Sequence, residues 1–143
     1  MRPQRRRPKP RPAARETVSV PSGPVLELEI YAVGGEGDGM ATGPVFVPFT
    51  LPGERVSAQG AGERRDLVGV LTPSADRIAA ACPHFTICGG CALQHWRHEP
   101  YLAWKVERMV GTLARERVEA EILPAFAAEP GTRRRVTLHA RRR

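Results

Sequence analysis

A chain of 143 residues, 41% of them apolar, can bury one modest core or a small barrel with an attached satellite, and is too short to hold a large catalytic domain as well. No apolar run approaches the roughly 20 residues that span a bilayer, and no apolar stretch of a secretory leader follows the basic start, so the sequence reads as cytoplasmic, without a membrane partner. The net charge of +7 is unevenly laid out: residues 1–15 hold seven cations and residues 131–143 six, both without an acid, which leaves nine bases against all fifteen acids between them.

The opening RPQRRRPKPRPAAR lacks the apolar surface that repays ordering entropy and reads as a disordered arm, suited to a polyanion such as RNA or to solubility alone. VLELEIYAV (Val25 to Val33) then sets Leu26, Leu28 and Ile30 on one face and Glu27, Glu29 and Tyr31 on the other, the pattern of a half-exposed strand. The glycines of GGEGDG (Gly34 to Gly39) have part of the spacing of a dinucleotide-binding loop. Such a loop must open a helix, whereas Pro44 and a second β-like run, GPVFVPF (Gly43 to Phe49), come next, so a hairpin loop accounts for them better. ERVSAQG and DLVGVLT give third and fourth short strands across the turn-prone AGERR, and strands so spaced suggest a small barrel.

Tyr101 to Val118 places Leu102, Val106, Met109, Val110 and Leu113 at helical spacing, with Pro100 suited to the first turn; the apolar stripe is expected to pack on a core. The final RRRVTLHARRR alternates Val136, Leu138 and Ala140 with polar neighbours, as a strand does. The sequence stops within it, which reads as a piece of a longer protein.

All three cysteines fall in ACPHFTICGGCALQHW, as Cys82-x5-Cys88-x2-Cys91. A two-residue gap lets two thiolates turn toward one ion or cluster, and Gly89 and Gly90 permit the backbone angles this needs. Three thiolates leave a tetrahedral zinc or a cubane cluster one ligand short. His84, His95 and His98 make a Cys3His zinc site one completion, and buried free thiols remain the plain alternative. The odd number argues against a disulfide framework, and Cys82 with His84 has neither an oxyanion site nor an orienting third group for nucleophilic catalysis.

Two stretches together carry a family resemblance. LEIYAVGGEGDGMATGPVFVPFTLPGERV (Leu28 to Val56) is similar to a TRAM domain, a small OB-like barrel that binds RNA. CPHFTICGGCALQHW, with YLAWK after it, resembles the iron–sulfur segment of the RNA (uracil-5-)-methyltransferases, which include enzymes that modify uridines of 23S ribosomal RNA.

The resemblance implies a mainly β chain with some α: a basic Pro/Arg-rich arm over 1–23, an OB-like TRAM barrel over 24–75, an iron–sulfur-binding segment over 76–99, and over 100–143 a helix with the start of a further β subdomain. Cys82, Cys88 and Cys91 match the first three ligands of the family's [4Fe-4S] cluster, the fourth lying beyond Arg143. The family's S-adenosylmethionine site and catalytic residues belong to a C-terminal domain with no counterpart here, so no catalytic residue is assigned. The implied partner is RNA, ribosomal RNA first, bound by a monomer. Tyr31, Phe46 and Phe49 are candidate stacking faces, and Arg133, Arg134 and Arg135 candidate phosphate contacts. The competing functions are a stand-alone RNA-binding accessory protein with a zinc or iron–sulfur site, and a small redox carrier.

Overall fold

The computed structural model describes residues 23–128 together with Gly131 and Thr132. Nearly all of the basic arm, the strand expected over 133–143 and the candidate RNA contacts Arg133, Arg134 and Arg135 lie outside the described residues. Among the described residues, five strands and one helix follow in order: β1 (Val25–Val33), β2 (Gly39–Ala41), β3 (Val45–Val47), β4 (Arg55–Gln59), β5 (Asp66–Thr72) and α1 (His98–Arg115).

The strands form one antiparallel sheet in the order β3-β2-β1-β4-β5. β1 is long enough to serve two partners: Leu26 and Leu28 lie opposite Ala58 and Val56 of β4, while Ile30 pairs with Ala41 of β2. The sheet curls so that its far edges approach. The Phe46 N–H donates to the Glu63 carbonyl at 2.6 Å and the Arg65 N–H to the Phe46 carbonyl at 2.9 Å, a parallel bridge between β3 and the segment entering β5. The result is a curled half-barrel of the OB-like kind, mainly β with one helix.

The alternation read from VLELEIYAV holds as far as Ile30, which is buried while Glu27, Glu29 and Tyr31 face outward. A register shift between Ile30 and Ala32 then turns Val33 inward as well. Such a bulge bends the strand and re-aims the residue after it. Here it divides the interior in two. Ile30, Ala41, Val47, Val56 and Ala58 fill the barrel, whereas Val33 joins Leu51 and Trp96 in a second cluster flanked by Leu93, Tyr101 and Trp104.

The glycine run is a hairpin connection: the Gly34 N–H donates to the Asp38 carbonyl at 2.8 Å, and Gly37 takes a φ of 90° that other residues rarely adopt. Gly39 serves a different need, because a β-carbon there would collide with Thr50 and Ile30. The expected strand over 43–49 shrinks to Val45–Val47, since Gly43 at φ 82° belongs to the turn and neither Pro44 nor Pro48 can donate to a ladder.

The helix forms three residues earlier than the spacing predicted, with Pro100 inside its first turn. Its packing departs from the expectation. Tyr101 and Trp104 meet the second cluster, but no α1 residue is fully buried, and Met109 and Val110 of the aliphatic stripe are exposed at 47% and 41%. No helix among the described residues is long and apolar enough to cross a membrane.

Candidate functional site

The cysteine segment is a loop closed at its base and clamped to the barrel. Two backbone bonds close it: the Ile78 N–H donates to the His95 carbonyl at 2.9 Å and the Arg97 N–H to the Asp76 carbonyl at 2.8 Å, around a bridge between Arg77 and Trp96. The clamp is Arg77. Its Nε donates to Glu54 Oε1 at 2.5 Å, and its Nη2 to Glu54 Oε2 and to the Phe49 carbonyl, both at 2.8 Å. Glu54 is fully buried and also accepts from the Leu51 and Ser74 N–H groups, so a carboxylate just before β4 organises the chain entering the loop. Burial alone would raise the Glu54 pKa, but Arg77 and the two backbone donors outweigh it and hold the group below its usual value.

His95 sits beneath the loop, 2% exposed, its ring 5.3 Å from that of Phe85, which itself lies edge-on to Phe49. Neither ring nitrogen has a hydrogen-bond partner among the described residues. Burial, reinforced by the Arg77 charge and only partly opposed by Glu54, pushes its pKa down to about 4, so the ring is neutral at pH 7.

Within the loop all three cysteines are free thiols, Cys82 half-buried and Cys88 and Cys91 exposed. The Gln94 side chain ties two of them. Its amide oxygen accepts from the Cys82 N–H at 3.2 Å, and its amide nitrogen donates to Cys91 Sγ at 3.2 Å. Cys88 Sγ accepts from the Gly90 N–H at 3.4 Å, across the left-handed Gly89. Free thiols on one exposed loop, two of them with N–H donors aimed at sulfur, are the donor chemistry that zinc and iron–sulfur clusters require. No three His, Cys, Asp or Glu side chains among the described residues stand close enough to share one ion.

Of the candidate stacking rings, Tyr31 is 60% exposed, Phe46 is half-buried beside the closing bridge, and Phe49 packs on Phe85. The residues that build the site and were not singled out from sequence are Glu54, Arg77, Gln94 and the aromatic group Trp96, Tyr101 and Trp104, whose rings lie 5.8–6.3 Å apart. The spacing Trp96-x4-Tyr101-x2-Trp104 was the available signal for the last three.

Against known proteins, no family model matches. The chain is 54% identical, over 81% of its length, to an uncharacterized RNA methyltransferase of Caulobacter vibrioides, and 44% identical, over the same share, to one of Brucella suis. It is also 39% identical, over 94% of its length, to the 23S rRNA (uracil(1939)-C(5))-methyltransferase RlmD of a Marinomonas species. The chain belongs to the RNA uracil-C5 methyltransferase family. It spans 29% of the Caulobacter and Brucella methyltransferases and 32% of the Marinomonas enzyme, about three tenths of a full-length relative. Among solved structures, it resembles the tRNA (uracil-54, C5)-methyltransferase of Pyrococcus abyssi in complex with S-adenosyl-L-homocysteine, at 24% identity and a TM-score of 0.45, over 68% of this chain and 23% of that one.

Proposed function

We propose that this chain is the RNA-binding and [4Fe-4S]-binding portion of an S-adenosylmethionine-dependent methyltransferase that acts at C5 of a uridine in ribosomal RNA. The observation that carries the reading is the 39% identity over 94% of the chain to a 23S rRNA uracil-C5 methyltransferase. In this account the half-barrel is a TRAM domain that receives RNA, and Cys82, Cys88 and Cys91 supply three thiolate ligands to the cluster from the clamped loop. The bond from Gln94 to Cys91 and that from Gly90 to Cys88 suit sulfurs that carry negative charge. Transfer of the methyl group belongs to the portion of the relatives that this chain does not span, and no residue here is given a catalytic role.

Deleting the gene in its source organism and measuring 5-methyluridine in ribosomal RNA by mass spectrometry tests the reading. Loss of the modification at one position, restored by the gene, is expected. Unchanged 5-methyluridine in ribosomal RNA would overturn it.

A further inference from the structure

The charges of the described body are not evenly committed. Arg55, Arg64, Arg77 and Arg97 are ion-paired with Glu27, Asp38, Glu54 and Asp76, and Arg65 donates to the Gly60 carbonyl. Lys105, Arg108, Arg115 and Arg117 have no ion pair among the described residues, although Arg115 donates to the Thr112 hydroxyl at 3.1 Å, and all four lie on α1 or just past its end.

Trp104, Arg108, Gly111 and Arg115 follow the i, i+4, i+7, i+11 spacing that lines one face of a helix. That face and the outer side of β1 enclose an open groove of about 780 Å³, with Tyr31 on the strand wall and Trp104 on the helix wall. Trp104 is oriented by its ring N–H, which donates to the Val33 carbonyl at 3.1 Å. Arg108 lies over the Trp104 ring at 5.8 Å, and Lys105 over the same ring at 5.5 Å. Gly111 is part of this lining, and a β-carbon there would have no neighbour within 4 Å, so a side chain at this position would extend into open space. The acid on this lining is Glu107.

We infer that this groove between β1 and α1 is a binding site for an unpaired RNA nucleotide, whose base enters between Tyr31 and Trp104 while Arg108 and Arg115 hold the flanking phosphates. The inference rests on the RNA-binding reading above and gives it a location outside the barrel's own interior. Rings and guanidinium groups without an ion pair on one lining are the combination that single-stranded nucleic acid selects, the rings for base faces and the cations for backbone charge. A purely anionic ligand would leave Tyr31, 60% exposed, without a role.

The two tryptophans of the chain, Trp96 and Trp104, line this groove and also the neighbouring cavity beside Cys91, so intrinsic fluorescence reports on both, and substitutions at Arg108, Gly111 and Arg115, which line the groove and not that cavity, separate the two. The full chain is titrated with end-labelled oligouridylate and, separately, with inorganic polyphosphate, following both label anisotropy and tryptophan emission. Saturable quenching by oligouridylate, with little change on polyphosphate, is expected. Gly111→Leu, which places a side chain in open space on a helix, should keep the fold by circular dichroism yet weaken the quenching transition about tenfold or more. Arg108→Glu with Arg115→Glu should weaken it at least as much and lessen its dependence on salt.

RNA binding seen by anisotropy without tryptophan quenching, or with quenching untouched by Gly111→Leu and by the charge reversals, would overturn the inference. No RNA binding by either signal would overturn both the groove and the RNA-binding reading beneath it.

Discussion

Single side chains decide whether the cysteine loop stays on the barrel, and Glu54 is the one with most at stake. A fully buried carboxylate is tolerable because Arg77, Leu51 and Ser74 satisfy it. Arg77→Met should therefore destabilise the fold by about 3–5 kcal/mol in urea denaturation, because it leaves a buried charge without its partner. His95 adds a pH dependence of defined sign. Its folded pKa of about 4 lies below the ordinary 6.5, so between those values the unfolded chain binds the extra proton and stability falls as pH drops. The depressed Glu54 acts in the same direction, losing its contribution on further acidification. Melting temperature should decline from pH 6.5 toward pH 4 in the native chain, by the equivalent of up to about 3 kcal/mol, and a His95→Phe variant should show a flatter profile. Two glycines make opposite predictions. Gly39→Ala should cost about 1–3 kcal/mol because Thr50 and Ile30 occupy the space, whereas Gly111→Ala in the open middle of α1 should stabilise by about 0.5–1 kcal/mol.

At the level of elements, the sequence was most legible where burial is one-sided and local. The period-two pattern of β1, the hairpin glycines and the helix at 98–115 all follow from spacing that needs no distant partner. Three features were not legible, each for a physical reason. β2 is only Gly39–Ala41, too short to display a period and disguised by the turn before it. The bulge that turns Val33 inward leaves the composition of β1 unchanged and appears only in its register with β2. The face of α1 that meets the barrel carries Tyr101 and Trp104, amphipathic rings that a count of aliphatic residues passes over, so Leu102, Val106, Met109, Val110 and Leu113 stood out although they do not fill the core. The cysteine loop shows the same division: its residues were plain from their spacing, while its anchors Glu54 and Gln94 act across gaps of 23 residues to Arg77 and 12 to Cys82.

At the scale of the whole chain, a half-barrel with an aromatic, cationic groove carries a thiol loop fixed on its flank, and the chain spans about three tenths of the RNA methyltransferases it matches. The resemblance carried by the CGGC segment and the Leu28 to Val56 stretch points to the same family as the relatives, while the proposed cluster rests on donor chemistry: three free thiols, two of which receive N–H groups. Metal content is thus the most direct test of the central claim, that this loop holds an iron–sulfur cluster. Protein purified without oxygen from iron-replete cells should contain iron and acid-labile sulfide in near-equal amounts, and Cys82→Ser, Cys88→Ser or Cys91→Ser should each lower both together. Zinc without sulfide, or iron and sulfide unaffected by all three substitutions, would contradict it.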